Sequence, residues 1–212
     1  MNQTIRFPLI LALICCVVAL GVGGVFVMAR ERIEKLEMER REEALQEIFG
    51  EGAYTELLRE AEDPAKNIHK VFDAQDVLAG YSTTGSAQGY GSRIRVLVGV
   101  APELDRIKAI RMLFQQETPG LGARIEEIET KTTWFKLLTG QAEDEGERAP
   151  WFLEQFSGYP LEEGRLQKDD AGRLVAGDAQ VDAITGATVS SDAVVEAVNE
   201  GVARIFEAVK VD

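Results

Sequence analysis

The stretch DAITGATVSSDAVVEAV, Asp182 to Val198, sets four hydroxyl side chains, Thr185, Thr188, Ser190 and Ser191, around a Gly186-Ala187 pair. A segment patterned as an amphipathic helix follows directly. Two kinds of chemistry fit such a run. Ser and Thr cap helices by accepting a first-turn N–H. A helix start, with free N–H groups and a positive dipole end, also receives phosphate. Capping needs one hydroxyl, so it accounts for Ser190 or Ser191 and leaves TGAT without a purpose, whereas the minimal side chains of Gly186 and Ala187 leave Thr188 open to a bulky group. A second stretch, ETPGLG (117–122), is a candidate partner. Pro119 fixes its own φ and pushes Thr118 towards an extended backbone, while Gly120 and Gly122 accept conformations closed to other residues. The product is a stiff, bare-backboned loop that a flat ligand can approach closely, or else a plain turn after a strand. The third glycine-rich stretch, GSAQGYGS (85–92), lacks the third glycine of a dinucleotide fingerprint, and the chain has no Gly-Lys-Ser/Thr of a P-loop. It reads as a loop leading into a strand.

Composition narrows the chemistry further. The 212 residues carry a net charge of −13, and no run of Lys or Arg forms the basic face that nucleic acid requires. The two cysteines, Cys15 and Cys16, both lie in the most apolar part of the chain. The remainder therefore has no thiol for disulfides, thiolate catalysis, zinc-cysteine sites or iron-sulfur clusters. The single histidine, His69 in NIHK, reads as a surface residue and argues against a histidine metal site or triad. Redox chemistry in such a chain has to come from an organic cofactor.

These stretches need elements to hold them. Phe7 to Ala29 contains no charged residue, and as a helix it would run roughly 34 Å, enough to span a bilayer. A cleaved signal peptide is the alternative, since Val27 and Ala29 suit a cleavage site, but the apolar run is long for one. Arg6 precedes the span and Arg30, Arg32, Lys35, Arg40 and Arg41 follow it, so positive-inside counting puts the following domain in the cytoplasm. Residues 30–49 read as a charged helical stalk with Glu31/Lys35 and Glu37/Arg41 one turn apart and a stripe of Ile33, Leu36, Leu45, Ile48 and Phe49. AYTELLREAED reads as a short second helix ending before Pro64. RIRVLVGVA (93–101) and RIKAIRMLFQQ (106–116) alternate as antiparallel strands across the turn PELD, and GRLQKDDAGRLVAG (164–177) reads as a hairpin. Between them IEEIETKTTWFKLLTG is helical or irregular and QAEDEGERAP is an acidic loop. Residues 191–209 form the best-patterned helix, with Val194, Val198, Val202, Ile205, Phe206 and Val209 on one face. The predicted class is α+β: a mostly antiparallel sheet with flanking helices, preceded by one N-terminal transmembrane helix.

At this point the motifs meet a family pattern. DAITGATVSS resembles the D-x-x-[ST]-G-A-T signature of covalently flavinylated FMN-binding domains, and ETPGLG and GYGSRIRVLVGV resemble companion motifs in the same order and at similar separations. A single membrane helix followed by one such domain resembles the G subunits of Rnf electron-transport complexes, whose relatives include the C subunit of the sodium-translocating NADH:quinone reductase. The resemblance covers about residues 72–210. It implies three regions: 1–29 as tail and transmembrane helix, 30–71 as stalk and connecting helix, and 72–212 as the FMN domain. It further implies that a flavin transferase attaches FMN to Thr188 through a phosphoester, that Asp182, Thr185, Gly186 and Ala187 shape the attachment motif, and that Glu117, Thr118, Gly120, Leu121 and Gly122 line the flavin. Tyr90 and Gly91 match a position near the centre of the fold, and Trp134 an aromatic position that reads first as core. By the same resemblance the chain is an electron carrier without its own catalytic site or metal. It would be anchored in the lipid bilayer of the inner membrane among other membrane and redox subunits, with its soluble domain outside the cytoplasm, against the positive-inside count. The rival of another class is an anchored binding domain without flavin.

Overall fold

The computed structural model describes residues 3–127, 150–161, 166, 175–176 and 179–211. The chain divides after Glu42 into two units. Helix α1, Gln3–Phe49, runs through the whole N-terminal region. Its segment Ile10–Phe49 holds an 18-residue window of mean hydropathy 2.9, none of it buried, and is long and apolar enough to cross a membrane. Leu20 and Met28, for example, are 77% and 81% exposed. An apolar helix that finds no protein partner needs lipid or another chain around it.

The second unit is built on five antiparallel strands in the order β1-β2-β3-β4-β5: Tyr54–Arg59, Ile68–Phe72, Leu78–Gln88, Arg93–Val100 and Ile107–Phe114. The two strands expected from alternation, β4 and β5, are present and paired. The short helix expected over 53–63 is instead β1, an edge strand whose residues are mostly exposed. Leu57, Leu58 and their charged neighbours carry helix propensity, but pairing with β2 and stacking of Tyr54 on Phe72, with ring centroids 5.4 Å apart, override it. His69 is half-buried in β2 rather than on the surface. Residues 85–88, expected as loop, are the end of β3.

Each face of the sheet buries one apolar layer. Ile94, Val96, Val98 and Val100 of β4 join the larger core, which includes α2 (Trp151–Glu154), and Val194, Ala197, Val198, Val202 and Ile205 of α3 (Thr188–Val211). Leu97 of β4 joins Val71 and Ala109 on the other face, beneath Ala44, Leu45, Ile48 and Phe49 at the end of α1. The lower half of the expected stalk stripe is thus core, while Ile33 and Leu36 are exposed. The hairpin expected over 164–177 lies mostly outside the described residues; within them β6 (Val175–Ala176) pairs with β7 (Ala179–Gln180). Trp134 and the acidic loop 141–149 also lie outside them.

Glu200 and Arg204 fasten α3 to β3. Glu200 accepts from Lys66 Nζ and, at 2.7 Å, from the Ser86 N–H on the edge of β3 that β2 leaves uncovered. Arg204 donates at 3.1 Å to the Thr84 carbonyl and to Thr83 Oγ1.

Candidate functional site

The loop 117–122 and the start of α3 face each other across a cleft of about 320 Å³, lined by Tyr90, Glu117, Thr118, Leu121, Gly122 and residues 186–190. The loop is closed on itself by the Thr118 carbonyl, which accepts from the N–H groups of Leu121 at 3.1 Å and Ala123 at 3.2 Å. Opposite, Ile184 and Ala187 form a turn, with Ala187 N–H donating to the Ile184 carbonyl at 2.9 Å, and Gly186 takes the left-handed φ of 83° that this turn needs.

The hydroxyls before the helix are placed differently from expectation. The carbonyl of Ala187 accepts the first helical bond from Ser191 N–H at 2.9 Å, which puts Ala187, not a serine, at the cap. Ser190 and Ser191 lie inside the first turn, buried and inward. Ser191 Oγ accepts from the Ile184 N–H at 3.1 Å and pins the turn; Ser190 Oγ donates to Glu117 Oε2 at 2.6 Å. The N–H groups of Thr188, Val189 and Ser190 precede the first i→i−4 bond, and Ala187 has no side-chain acceptor to offer them. Thr188 is exposed on the cleft wall. The result is a helix N-terminus with an accessible hydroxyl and minimal side chains ahead of it, an arrangement suited to an anion.

Seven of the ten residues singled out from the sequence therefore meet at one cleft: Glu117, Thr118, Leu121, Gly122, Gly186, Ala187 and Thr188. Three stand apart from its wall. Gly120 forms the turn behind the loop with φ 75°. Thr185 is exposed one residue before Gly186. Asp182 is held by its backbone to the side chain of Gln155, donating at 2.7 Å and accepting at 3.3 Å. Tyr90, Leu121 and Val189 form an exposed apolar rim, 77%, 52% and 53% exposed. The sequence pattern did not single out Val189, or Ser190 and Ser92 as partners of Glu117. Ser190 was findable, because it stands four residues before Val194 on the face of α3 that turns inward, where a hydroxyl needs a partner.

Glu117 is the organising polar group. Its oxygens accept from the N–H groups of Tyr90 (3.2 Å), Gly91 (3.1 Å) and Ser92 (2.9 Å), from Ser92 Oγ (3.1 Å) and from Ser190 Oγ. Five donors saturate the roughly four lone-pair sites of a carboxylate, so none is left for a ligand. Burial pushes the Glu117 pKa up, but the bonds from Ser190, Ser92 and Gly91 outweigh it and hold the group below its ordinary value. Glu200 follows the same pattern, with burial opposed by Lys66 and Ser86. A depressed folded pKa gives stability that is complete above the unfolded pKa and lost as pH falls through the folded one. The urea midpoint of the full chain in detergent should therefore hold down to about pH 5 and fall below about pH 4.5, with a smaller fall in Glu200→Gln. An identical acid profile in that variant would contradict the assignment of Glu200.

An α+β domain with a helix N-terminus, an open hydroxyl and a bare-backboned loop around one cleft has the form of a small-molecule binding domain, and its helix N-terminus suits an anionic group. Similarity to known proteins makes this specific. The chain belongs to the FMN-binding domain family, whose model matches residues 89–203, more than half of its length. It is similar to the G subunit of the ion-translocating oxidoreductase complex of Methanosarcina acetivorans, 27% identical over 197 residues that cover 91% of this chain and 89% of the relative. The protein of the same name in Pseudomonas aeruginosa is 29% identical over 224 residues, 98% of this chain and 90% of the relative. Among solved structures, the crystal structure of Shewanella oneidensis NqrC superposes with a TM-score of 0.48 at 25% identity, over 69% of this chain and 62%, less than two thirds, of that one.

Proposed function

We propose that this chain is an electron-carrier subunit of a membrane-bound, ion-translocating electron-transport complex, with FMN held covalently on Thr188 through a phosphoester. The observation that carries the reading is the exposed Thr188 hydroxyl at an uncapped helix N-terminus, in a cleft whose other wall is the 117–122 loop. The residues fit the group: the first-turn N–H groups of α3 suit its phosphate, and the apolar rim of Tyr90, Leu121 and Val189 suits a flat ring. FMN supplies the redox chemistry, and the protein supplies orientation, burial and electrostatics. Thr188 acts as a tether and takes no part in turnover. Gly186 and Ala187 keep the approach to its oxygen clear, and the 117–122 loop limits access of water from the opposite wall.

Relatives named as the G subunit of an ion-translocating oxidoreductase complex support the electron-carrier role and the presence of partner subunits. Forming a phosphoester from a hydroxyl and free FMN would release water into water, which favours hydrolysis. Attachment therefore calls for an activated flavin phosphoanhydride and a flavin transferase. The apolar span of α1 supports a bilayer anchor, and we place the domain outside the cytoplasm, where a covalent tether prevents loss of the cofactor.

The test is denaturing-gel fluorescence of the full chain co-expressed with a flavin transferase. A fluorescent band that persists in SDS is expected; an unlabelled chain would refute the reading and leave an anchored binding domain without covalent flavin. Protease treatment of intact and lysed cells tests the placement, since cleavage restricted to the cytoplasmic side would overturn it.

A further inference from the structure

Glu117 is only 6% exposed, and among the described residues its oxygens receive five donors, all neutral. Burying a carboxylate is costly unless its hydrogen bonds are complete. Here the backbone is shaped around it. A Cβ on Gly89 would lie 2.6 Å from Glu117 Oε1, and one on Gly122 would lie 2.7 Å from Oε2 and 2.4 Å from Ser190 Oγ. The two glycines leave room for the carboxylate and its serine partner. Three segments of cleft wall meet at this one group: the 90–92 turn, the 117–122 loop and the first turn of α3. Ser190 is the only one of the five donor sites located on α3, two residues beyond Thr188.

We propose that Glu117 is the positioning residue for Thr188: through its bond to Ser190 it fixes the first turn of α3 so that the Thr188 hydroxyl is presented at the cleft for phosphoester formation. This rests on the reading of Thr188 as the flavin tether. In that step the Thr188 Oγ1–P bond forms and the P–O anhydride bond of the activated flavin donor breaks. The nucleoside phosphate leaves, the hydroxyl proton passes to a base of the transferase, and no electrons change hands. Glu117 touches none of the reacting atoms. Its carboxylate form is essential because a glutamine would turn an NH2 towards groups that all donate.

The full chain, its Glu117→Gln variant and its Ser190→Ala variant are compared for the initial rate of covalent FMN incorporation by the transferase. Both variants should slow about 10- to 100-fold, the range that follows from misplacing a reacting atom by about an ångström. The apo chain provides a second readout that loss of packing would not mimic. In its NMR spectrum the amide protons of Tyr90, Gly91 and Ser92 should shift together with a single acidic titration, which Glu117→Gln abolishes and Ser190→Ala moves to higher pH. Incorporation at the wild-type rate in Ser190→Ala, or 90–92 amides that do not titrate, would overturn the proposal, even if Glu117→Gln does not fold. A wild type that takes up no covalent flavin removes the tether reading and this one with it. A labelled wild type alongside variants labelled equally fast overturns this one alone.

Discussion

Thr188→Ala should abolish covalent flavin completely, because among the described residues no other hydroxyl stands free at the same place. Ser190 and Ser191 are buried and committed to Glu117 and to the Ile184 N–H, and Thr185 stands outside the cleft wall. The variant keeps the helix N-terminus and the apolar rim, so free FMN should still enter the cleft but be lost on dialysis or in SDS. Thr188→Ser keeps the oxygen and loses the methyl that restricts χ1, so it should be labelled, more slowly than wild type. Thr185→Ala should also be labelled. Gel fluorescence and intact mass of the three variants, each co-expressed with the transferase, read these outcomes directly. A Thr188→Ala chain that carries covalent FMN would move the tether elsewhere and leave the cleft without its assigned role.

The parts of the site that depend on local chain chemistry were legible in the sequence. Gly186 has the turn conformation its type invites, and ETPGLG and TGAT each make a wall of the cleft. What was not legible is which polar groups find each other across 73 positions of sequence, as Ser190 and Glu117 do. Hydroxyls next to a helix start read as caps, because capping is a local rule; burial of the first turn reassigns both serines to tertiary bonds. The same distinction holds for the fold. Strands β4 and β5 are rich in apolar β-formers punctuated by Arg93, Arg95, Lys108 and Arg111 and were foreseen, whereas β3, LAGYSTTGSAQ, is dominated by small and hydroxyl residues, and Ser82, Thr83 and Thr84 are themselves buried. Strand β1 was hidden for the opposite reason, its side chains being mostly exposed and its state decided by pairing with β2.

The small residues of β3 set up the largest expected effect on stability. At Gly85, a Cβ would lie 1.8 Å from the carbonyl oxygen of Ala197 and 2.7 Å from its carbonyl carbon, so what it meets is the backbone of α3 rather than a side chain that could rotate away. Gly85→Ala therefore forces α3 off the sheet by more than an ångström along the seam that buries Val194, Val198 and Val202. Overpacking of this kind typically costs about 1–3 kcal/mol, and a backbone clash belongs at or above the top of that range, against a total stability on the order of 5–15 kcal/mol. Gly85→Val should leave little folded protein. Gly201→Ala, across the same seam, is the discriminating control. Its Cβ would meet Val98 Cγ2 at 3.1 Å, a side-chain methyl that can yield, and alanine gains about 1 kcal/mol of helix propensity over glycine, so the change should be nearly neutral. Urea midpoints of the two alanine variants in detergent separate the two cases. Equal losses would mean that the seam tolerates or rejects any added methyl alike, and that the close approach at Gly85 is not what holds α3 to β3.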